Sequence, residues 1–393
     1  MIGFGLSGPA VPLFLEEDIG ITDPVKLKAW VGLIQSASAV TLAVFAPIWG
    51  HLADTFSRRV MLLRAMFGGA IVISLTGFVS SPCQFLVLKS IQGCLTGTVA
   101  AATVLTAGIT PAAQVAFALG LLQTCIAIGN SMGPMIGGVL ADFIGYRATF
   151  FSTGIVLALS GIVVLKGVDN DAKPRIDPSA SGESVSPTKK KKLTIFPDIR
   201  PIAASPLLVT LMVITLGVQT SSSVAGPMLP LFLKDLILST SGDLTYIGSS
   251  IGMVMGVGAA STAFAAVLVG KFSTRLGYWK TLLYCLCLGA VFTVPQIFVT
   301  NVAQLTILRA ISSFFIGGTM PVLNAIIAVS SDKKIQGTIY GINASVSSAG
   351  HAIGPMIGSA VAMASYRATF LASALILGFS AWQTSRRRKK LNN

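Results

Sequence analysis

Long apolar runs alternate with short polar turns along almost the whole chain. Most runs are about 17 to 27 residues long, the length with which a helix crosses the roughly 30 Å hydrocarbon layer of a membrane. They show little alternation between apolar and polar residues, which argues against a membrane β-barrel. Because a helix satisfies its own backbone hydrogen bonds in lipid, the pattern predicts an all-α membrane protein. The predicted spans, numbered one to twelve, are Met1–Leu15, Trp30–Trp49, Met61–Val79, Phe85–Ala107, Phe117–Leu140, Thr149–Leu165, Leu207–Leu233, Ile247–Val269, Leu282–Val299, Leu305–Val329, Ile339–Ala364 and Phe370–Trp382.

Composition and charge agree with this class. Hydrophobic residues make up 53% of the 393 residues and charged residues only 11%, against roughly 25% charged in a soluble chain. The net charge of +14 could favour nucleic acid, but most Lys and Arg lie on the side of the predicted membrane that carries both chain ends. By the positive-inside rule we expect both termini in the cytoplasm and no nucleic-acid partner.

One long polar segment divides the chain. It runs from Lys166 to Pro206, contains the run Lys189–Lys192, and lacks the apolar residues that a core requires. The predicted domains are an N-terminal six-helix bundle over 1–165, a basic cytoplasmic linker over 166–206, a C-terminal six-helix bundle over 207–384 and a basic cytoplasmic tail over 385–393.

The two halves repeat each other. SGPAVPLFL at 7–15 matches AGPMLPLFL at 225–233, and GPMIG at 133–137 recurs at 354–358. Because each copy has six spans, both enter the membrane in the same sense, as in many secondary transporters. Gly226 follows a long apolar stretch, whereas Gly8 follows only seven residues. We therefore expect a first span truncated by about twelve residues, with the true start upstream or the chain a truncated product.

Three motifs follow one another on the appropriate spans: GHLADTFSRR (50–59), LKSIQGCLTG (88–97) and GNSMGPMIGG (129–138). The first resembles the loop between spans two and three of the major facilitator superfamily. The second resembles its fourth-span motif, and the third the fifth-span motif of its drug:proton antiporters. The chain most resembles bacterial twelve-span multidrug exporters. The resemblance implies the major facilitator fold, with two pseudo-symmetric bundles that rock about a central site.

The same resemblance implies a gate in the first motif, Gly50–Arg59. Asp54 would accept hydrogen bonds from a neighbouring helix N-terminus and pair with a basic residue such as Arg58, latching the inner gate. The alternative is a solvated turn whose positive charges set the topology. The matching turn of the second half has Thr274 in place of the acid, so we expect a latch on one side only.

Glycines recur every four residues in spans five and eleven. The absence of side chains lets a facing backbone approach, and a proline within the helix creates a bend. We predict that both helices form bent, close-packed seams where the halves meet; the alternative is ordinary helix packing with no role in transport. The positions are Gly129, Gly133, Pro134 and Gly137, and Gly350, Gly354, Pro355 and Gly358.

Polar residues within the spans are candidates for coupling and binding. Lys89 and Arg309 occupy matching positions, and a charge inside the bilayer usually faces an aqueous cavity, although near a span end it can snorkel. His351 titrates near neutral pH, which makes it a proton-site candidate; a packed neutral histidine is the alternative. The expected cavity residues are Gln92, Gln123, Asn130, Gln219, Asn324 and Asn343.

These features together predict a monomeric membrane transporter in contact with lipid, and the family resemblance implies the bacterial inner membrane. The leading hypothesis is proton-coupled export of a small organic or drug-like compound by alternating access. None of the 14 acids lies in mid-membrane, which weighs against proton coupling. The alternatives are a sugar or siderophore exporter, facilitator or importer, and a non-transporting or inactive truncated membrane protein. No cysteine spacing, nucleotide-binding loop or catalytic constellation is recognisable, so we expect no cofactor, no metal and no enzymatic activity.

Overall fold

The computed structural model describes residues 1–55, 57–111, 114–168, 205–240, 242–331 and 336–392. Within these ranges the chain is almost entirely helical and contains no strand, which confirms the all-α class. The helices are α1 (Ile2–Leu6), α2 (Ala10–Leu13), α3 (Pro24–Thr55), α4 (Arg58–Thr76), α5 (Pro82–Leu95), α6 (Thr98–Ile109), α7 (Val115–Gly167), α8 (Pro206–Val224), α9 (Leu229–Thr240), α10 (Ile247–Leu276), α11 (Tyr278–Thr293), α12 (Val302–Gly317), α13 (Thr319–Ser330), α14 (Gln336–Ala364) and α15 (Tyr366–Asn392).

The helices reproduce the twelve-span layout, although several spans are interrupted. Span one is divided into α1, α2 and a π-helical turn at Phe14–Asp18, and its counterpart, span seven, is divided by a 3₁₀ turn at Gly226–Met228. Span four breaks at Gly97, whose φ of 129° is accessible mainly to glycine. Spans five and six form one 53-residue helix that breaks at Gly145, where φ is 80° and ψ is 167°.

Hydropathy supports membrane insertion. In the described ranges, seven helical stretches combine the length and mean hydropathy of a membrane span, and the 51-residue stretch Phe117–Gly167 accounts for two of the twelve. Spans one, four, eleven and twelve are not among the seven. Spans one and four are each divided into short helices, and the last helix includes the basic run Arg386–Lys390. That helix continues past the predicted end of span twelve at Trp382.

The two bundles share two ends, called the linker face and the opposite face. The linker face carries Lys166, Ser205 and the turn between α3 and α4; the opposite face carries Asp18, Arg147 and Thr240. The predicted linker lies mostly outside the described residues, so the domain boundaries remain a prediction.

An aromatic core lies near the opposite face. Phe14 packs edge-on against Phe85 and Phe150, with ring centroids 5.5 Å and 5.1 Å apart. In the second bundle Phe232 packs against Phe370 at 5.3 Å, in the equivalent place. These rings belong to one apolar cluster that includes residues from both halves. The bundles therefore share a common core at this end.

Candidate functional site

A cavity of about 800 Å³ lies within the second bundle, and Gln123 is the one first-half residue among its described wall residues. Apolar side chains such as Met255, Ile316 and Met320 form part of its surface. Amide, hydroxyl and charged side chains form the rest, as expected of a site that orients a mainly apolar ligand by a few polar groups. Of the residues proposed from the sequence, the wall includes Gln123, Gln219, Asn324, Arg309 and His351.

Three other candidates are not part of the cavity wall. Asn343 is buried, and its amide nitrogen lies 3.4 Å from the amide oxygen of the wall residue Asn324. Gln92 is half-buried on α5, and Asn130 is exposed on α7. Helical spacing assigns each of these residues to a polar face of its own helix, but it does not show how that helix is rotated against its neighbours.

His351 is held by two residues of α8. Its Nε2 lies 2.8 Å from the amide nitrogen of Gln219, and its Nδ1 lies 2.7 Å from the hydroxyl of Ser223. An amide nitrogen only donates, so in this arrangement Nε2 accepts and Nδ1–H donates to Ser223. Protonation of Nε2 would require the Gln219 amide to turn its oxygen towards the ring. The histidine charge state is therefore coupled to the orientation of a side chain in the cavity wall.

Arg309 and Lys89 occupy different environments despite their matching positions in the repeat. Arg309 lines the cavity. Lys89 is 7% exposed on α5, with its ammonium 5.9 Å from the ring centre of Phe85, and it does not contribute to the cavity wall. The two halves are thus asymmetric in charge at the site.

The gate motif is only partly described. Gly50 and Asp54 lie in α3, and Arg58 begins α4. The guanidinium of Arg59 donates a hydrogen bond to the backbone carbonyl of Leu165. The side chains of Asp54 and Arg58 lie outside the described residues, so the latch remains a prediction.

The glycines of span five pack inside the first bundle, against span one. A Cβ added at Gly129, Gly133 or Gly137 would collide with the backbone of Met1–Leu6. The prediction that these glycines lie where the halves meet was wrong. They let span five approach span one closely within the same bundle.

The glycines of span eleven show the same arrangement in the second bundle. A Cβ at Gly350, Gly354 or Gly358 would collide with α8, between Leu216 and Val224. The prediction that these three glycines lie where the halves meet was also wrong. A glycine at every fourth residue identifies a close-packed helix face, but it does not show which helix packs against that face.

Other residues form the contact between the halves, in two seams. In the first, Gly252 of α10 lies so close to the carbonyl oxygen of Pro134 that a Cβ there would overlap it. The Ser131 hydroxyl donates to the Gly256 carbonyl at 2.9 Å. Gly248, Gly252 and Gly256 recur every four residues in span eight. This pattern indicates a close-packed helix face, and it was not used in predicting the seams.

The second seam is the counterpart of the first. A Cβ at Gly32 of α3 would lie 2.9 Å from the carbonyl oxygen of Pro355 and would collide with Ser359. The Ser359 hydroxyl donates to the carbonyl of Lys28 at 2.6 Å. Pro134 and Pro355 therefore do lie where the halves meet, each facing a glycine of the other half.

Polar contacts close the seams at the opposite face. The Asp142 carboxylate, at the end of span five, accepts hydrogen bonds from the backbone N–H groups of Gly248 and Ser249, both at 2.7 Å, and from the Ser249 hydroxyl. An anion is favourable at this helix N-terminus, which carries partial positive charge. Lys234 pairs with Glu16 and Glu17 at 3.1 Å and 2.8 Å. The acids are found at span ends in the sequence, but their partners could not be predicted from it.

Almost the whole chain matches the family model described as Major Facilitator Superfamily, over residues 1–294 and again over 211–392. The chain belongs to the major facilitator superfamily. The overlapping matches agree with a fold built from two similar halves. As a superfamily transporter, the protein is an integral membrane protein.

Curated relatives of this superfamily member include proteins named multidrug resistance protein MdtG. The one from Escherichia fergusonii is 32% identical over 391 residues, covering 98% of this chain and 92% of the relative. The one from Salmonella typhimurium is 31% identical over 391 residues, with the same coverage.

Solved structures share the fold at low identity. A bacterial homologue of the human lysosomal transporter Spinster, in an inward-facing and occupied conformation, superposes with a TM-score of 0.79 at 13% identity, covering 98% of this chain and 95% of that one. The nucleoside transporter NupG gives a TM-score of 0.77 at 13% identity, with the same coverage. These likenesses confirm the major facilitator fold.

Proposed function

We propose that this transporter exports a small amphipathic compound in exchange for protons by alternating access. The observation that carries the proposal is the position of the cavity. Its wall has polar and apolar residues, and at Ser222, Met255 and His351 it adjoins a cavity of about 450 Å³ that residues of both bundles line. The two glycine seams and Asp142 join the bundles at the opposite face. A site closed at one face by separable contacts is what a rocking mechanism requires. The relatives named multidrug resistance proteins support the choice of a drug-like substrate.

The linker face is proposed to lie in the cytoplasm of a bacterial inner membrane. Basic residues concentrate at this face, including Arg59, Lys271, Arg275 and the run Arg386–Lys390, and the positive-inside rule places them in the cytoplasm. With this orientation the structure has its outer seams closed. The Spinster homologue with the same fold is described as inward-facing, which is consistent with this assignment.

His351 is the proposed proton carrier. It is the one histidine among the described residues of the cavity wall, and a proton on Nε2 would reorient Gln219. We expect His351→Gln to remove the pH dependence of exchange, because glutamine cannot take up the proton that a histidine ring can. The measurement is the initial rate of exchange in liposomes at a series of internal pH values.

The chain offers a matched control for this prediction. Its second histidine, His51, lies in α3 at the linker face. His51→Gln should retain the wild-type pH profile. If the His351→Gln variant kept the wild-type pH profile, His351 would not carry the proton and would have only a packing role.

Transport itself is tested in liposomes of purified protein. Labelled 2-naphthalenesulfonate, rhodamine 6G and chloramphenicol serve as anionic, cationic and neutral probes, each assayed with and without an imposed pH gradient. We expect at least one probe to move against its concentration gradient while the pH gradient lasts and to stop when a protonophore is added. Equal movement of all three with and without the gradient would exclude proton exchange.

A further inference from the structure

The cavity wall has an unusual balance of charge. Arg309 contributes a guanidinium that stays protonated at any physiological pH, and His351 contributes either a neutral or a positive ring. Among the described residues that line the cavity, none is Asp or Glu. The site therefore carries positive charge without a protein counter-ion.

The guanidinium of Arg309 is available to a ligand. It makes no hydrogen bond or ion pair with any residue in the ranges that the structure describes, and it lies in the wall of the cavity. Gly258 helps to leave this space, since a Cβ there would lie 3.6 Å from Cγ of Arg309 and 3.3 Å from the Ser313 hydroxyl. The neighbouring wall includes Met255, Ile316 and other apolar side chains.

A charge in this position has an energetic consequence. Burying a cation away from water is costly unless an anion pairs with it, and guanidinium binds oxyanions through two parallel hydrogen bonds. A cationic ligand would be repelled at short range in a site that is poorly screened by solvent. An anionic ligand would supply the missing counter-ion.

We propose that the cavity binds amphipathic organic anions, with a carboxylate, sulfonate or phosphonate group on Arg309 and the apolar body against Met255 and Ile316. This inference rests on the proposed function, since it names the substrate class of the transport site. It also gives Arg309 a role that its sequence counterpart Lys89 does not share, because Lys89 lies outside the cavity wall.

Three probes that share one ring system test the proposal. Binding of radiolabelled 2-naphthalenesulfonate, 2-naphthalenesulfonamide and 2-naphthylmethylammonium to the purified full-length protein is measured by scintillation proximity. We expect the sulfonate to bind about tenfold or more tightly than the neutral sulfonamide, the gain typical of hydrogen bonds between charged groups. The ammonium compound should bind most weakly.

Variants assign the preference to Arg309. Arg309→Gln should reduce the sulfonate preference to about twofold or less while leaving sulfonamide affinity within about twofold, because only the charge interaction is removed. Arg309→Lys should give an intermediate preference, since lysine keeps the charge but loses the two-pronged geometry. Arg367→Gln, the same substitution at an exposed residue of the opposite face, should keep the wild-type ratio.

Each contrary result overturns the proposal. Equal affinity of the wild-type protein for the ammonium compound and the sulfonate would contradict the proposal, and this test does not depend on whether the variants fold. A lack of measurable sulfonate binding would contradict it as well. A retained preference in Arg309→Gln places the anion elsewhere and also contradicts it. Binding does not require transport, so absence of gradient-driven movement in liposomes would refute the exchange mechanism while leaving this binding result to stand.

Discussion

Replacement of Asp142 by asparagine is expected to open the seam at the opposite face and to slow transport about tenfold. The carboxylate accepts three hydrogen bonds at the start of α10, two of them from the backbone N–H groups of Gly248 and Ser249. Asparagine keeps one acceptor oxygen but loses the charge and the second acceptor. Hydrogen bonds to charged groups contribute about 1.5–3 kcal/mol each, so the closed state should lose about 2–4 kcal/mol. Since each 1.4 kcal/mol is about tenfold in an equilibrium constant, the seam-open population should rise roughly 30-fold or more.

Cysteine accessibility measures this opening. Ile251, on α10 beside the seam, is fully buried, so Ile251→Cys reports the opening of this face in a background without the five native cysteines. A membrane-impermeant maleimide should react at least about tenfold faster in the Asp142→Asn protein, because reaction requires the open state. The matched control is Asp243→Asn, since Asp243 bonds only to Thr245 of its own loop among the described residues. Equal labelling rates in the two variants would show that Asp142 does not hold the seam.

Gly252→Val is expected to abolish exchange, with a loss of about 100-fold. A side chain at this position would overlap the carbonyl oxygen of Pro134, and the contact is between two helix backbones that cannot rotate away. Overpacking costs typically about 1–3 kcal/mol even where side chains can adjust. The seam-closed state would therefore be disfavoured strongly enough to arrest the cycle. Gly32→Val, at the corresponding position of the other seam, should have the same effect for the same reason.

The control for this steric argument lies on the partner helix. Gly120 of α7 has open space around it, with no atom within 4 Å of an added Cβ. Gly120→Val makes the same chemical change in a helix without touching a seam, so it should retain exchange within about twofold. Size-exclusion profiles separate loss of function from misfolding. Undiminished exchange in a well-folded Gly252→Val protein would mean that the seam need not close.

The sequence predicted the helices well because membrane insertion depends mainly on local hydropathy and length. The repeat also anticipated the matching places of Pro134 and Pro355. It did not anticipate the breaks near Gly8 and Gly226, since both spans were predicted as continuous helices. The repeat could not predict how each helix is rotated about its own axis against its neighbours. Gly129 faces span one, and Gly350 faces span seven. Which helix packs against a glycine face depends on contacts between helices that are distant in sequence, so the local pattern cannot predict it.

The candidate site was predicted in part for the same reason. Gln219, Arg309 and His351 line the cavity. Asn130 and Asn343 also belong to polar stripes of their helices, but they are not among the wall residues. Asp142 was missed because an acid at a span end resembles any solvated loop residue until the helix N-terminus that it caps is known. The glycine spacing of span eight was visible in the sequence and would have located one seam.

We expect the seams at the opposite face to open as the linker face closes. Distances between paired spin labels test it most directly, with one pair at Ile144 and Tyr246 on the opposite face and a second at Phe117 and Lys271 towards the linker face. Because the bundles rock as rigid bodies, adding substrate and changing pH should lengthen the first distance and shorten the second together. If both distances stayed fixed, or both lengthened, the two bundles would not alternate access to the cavity.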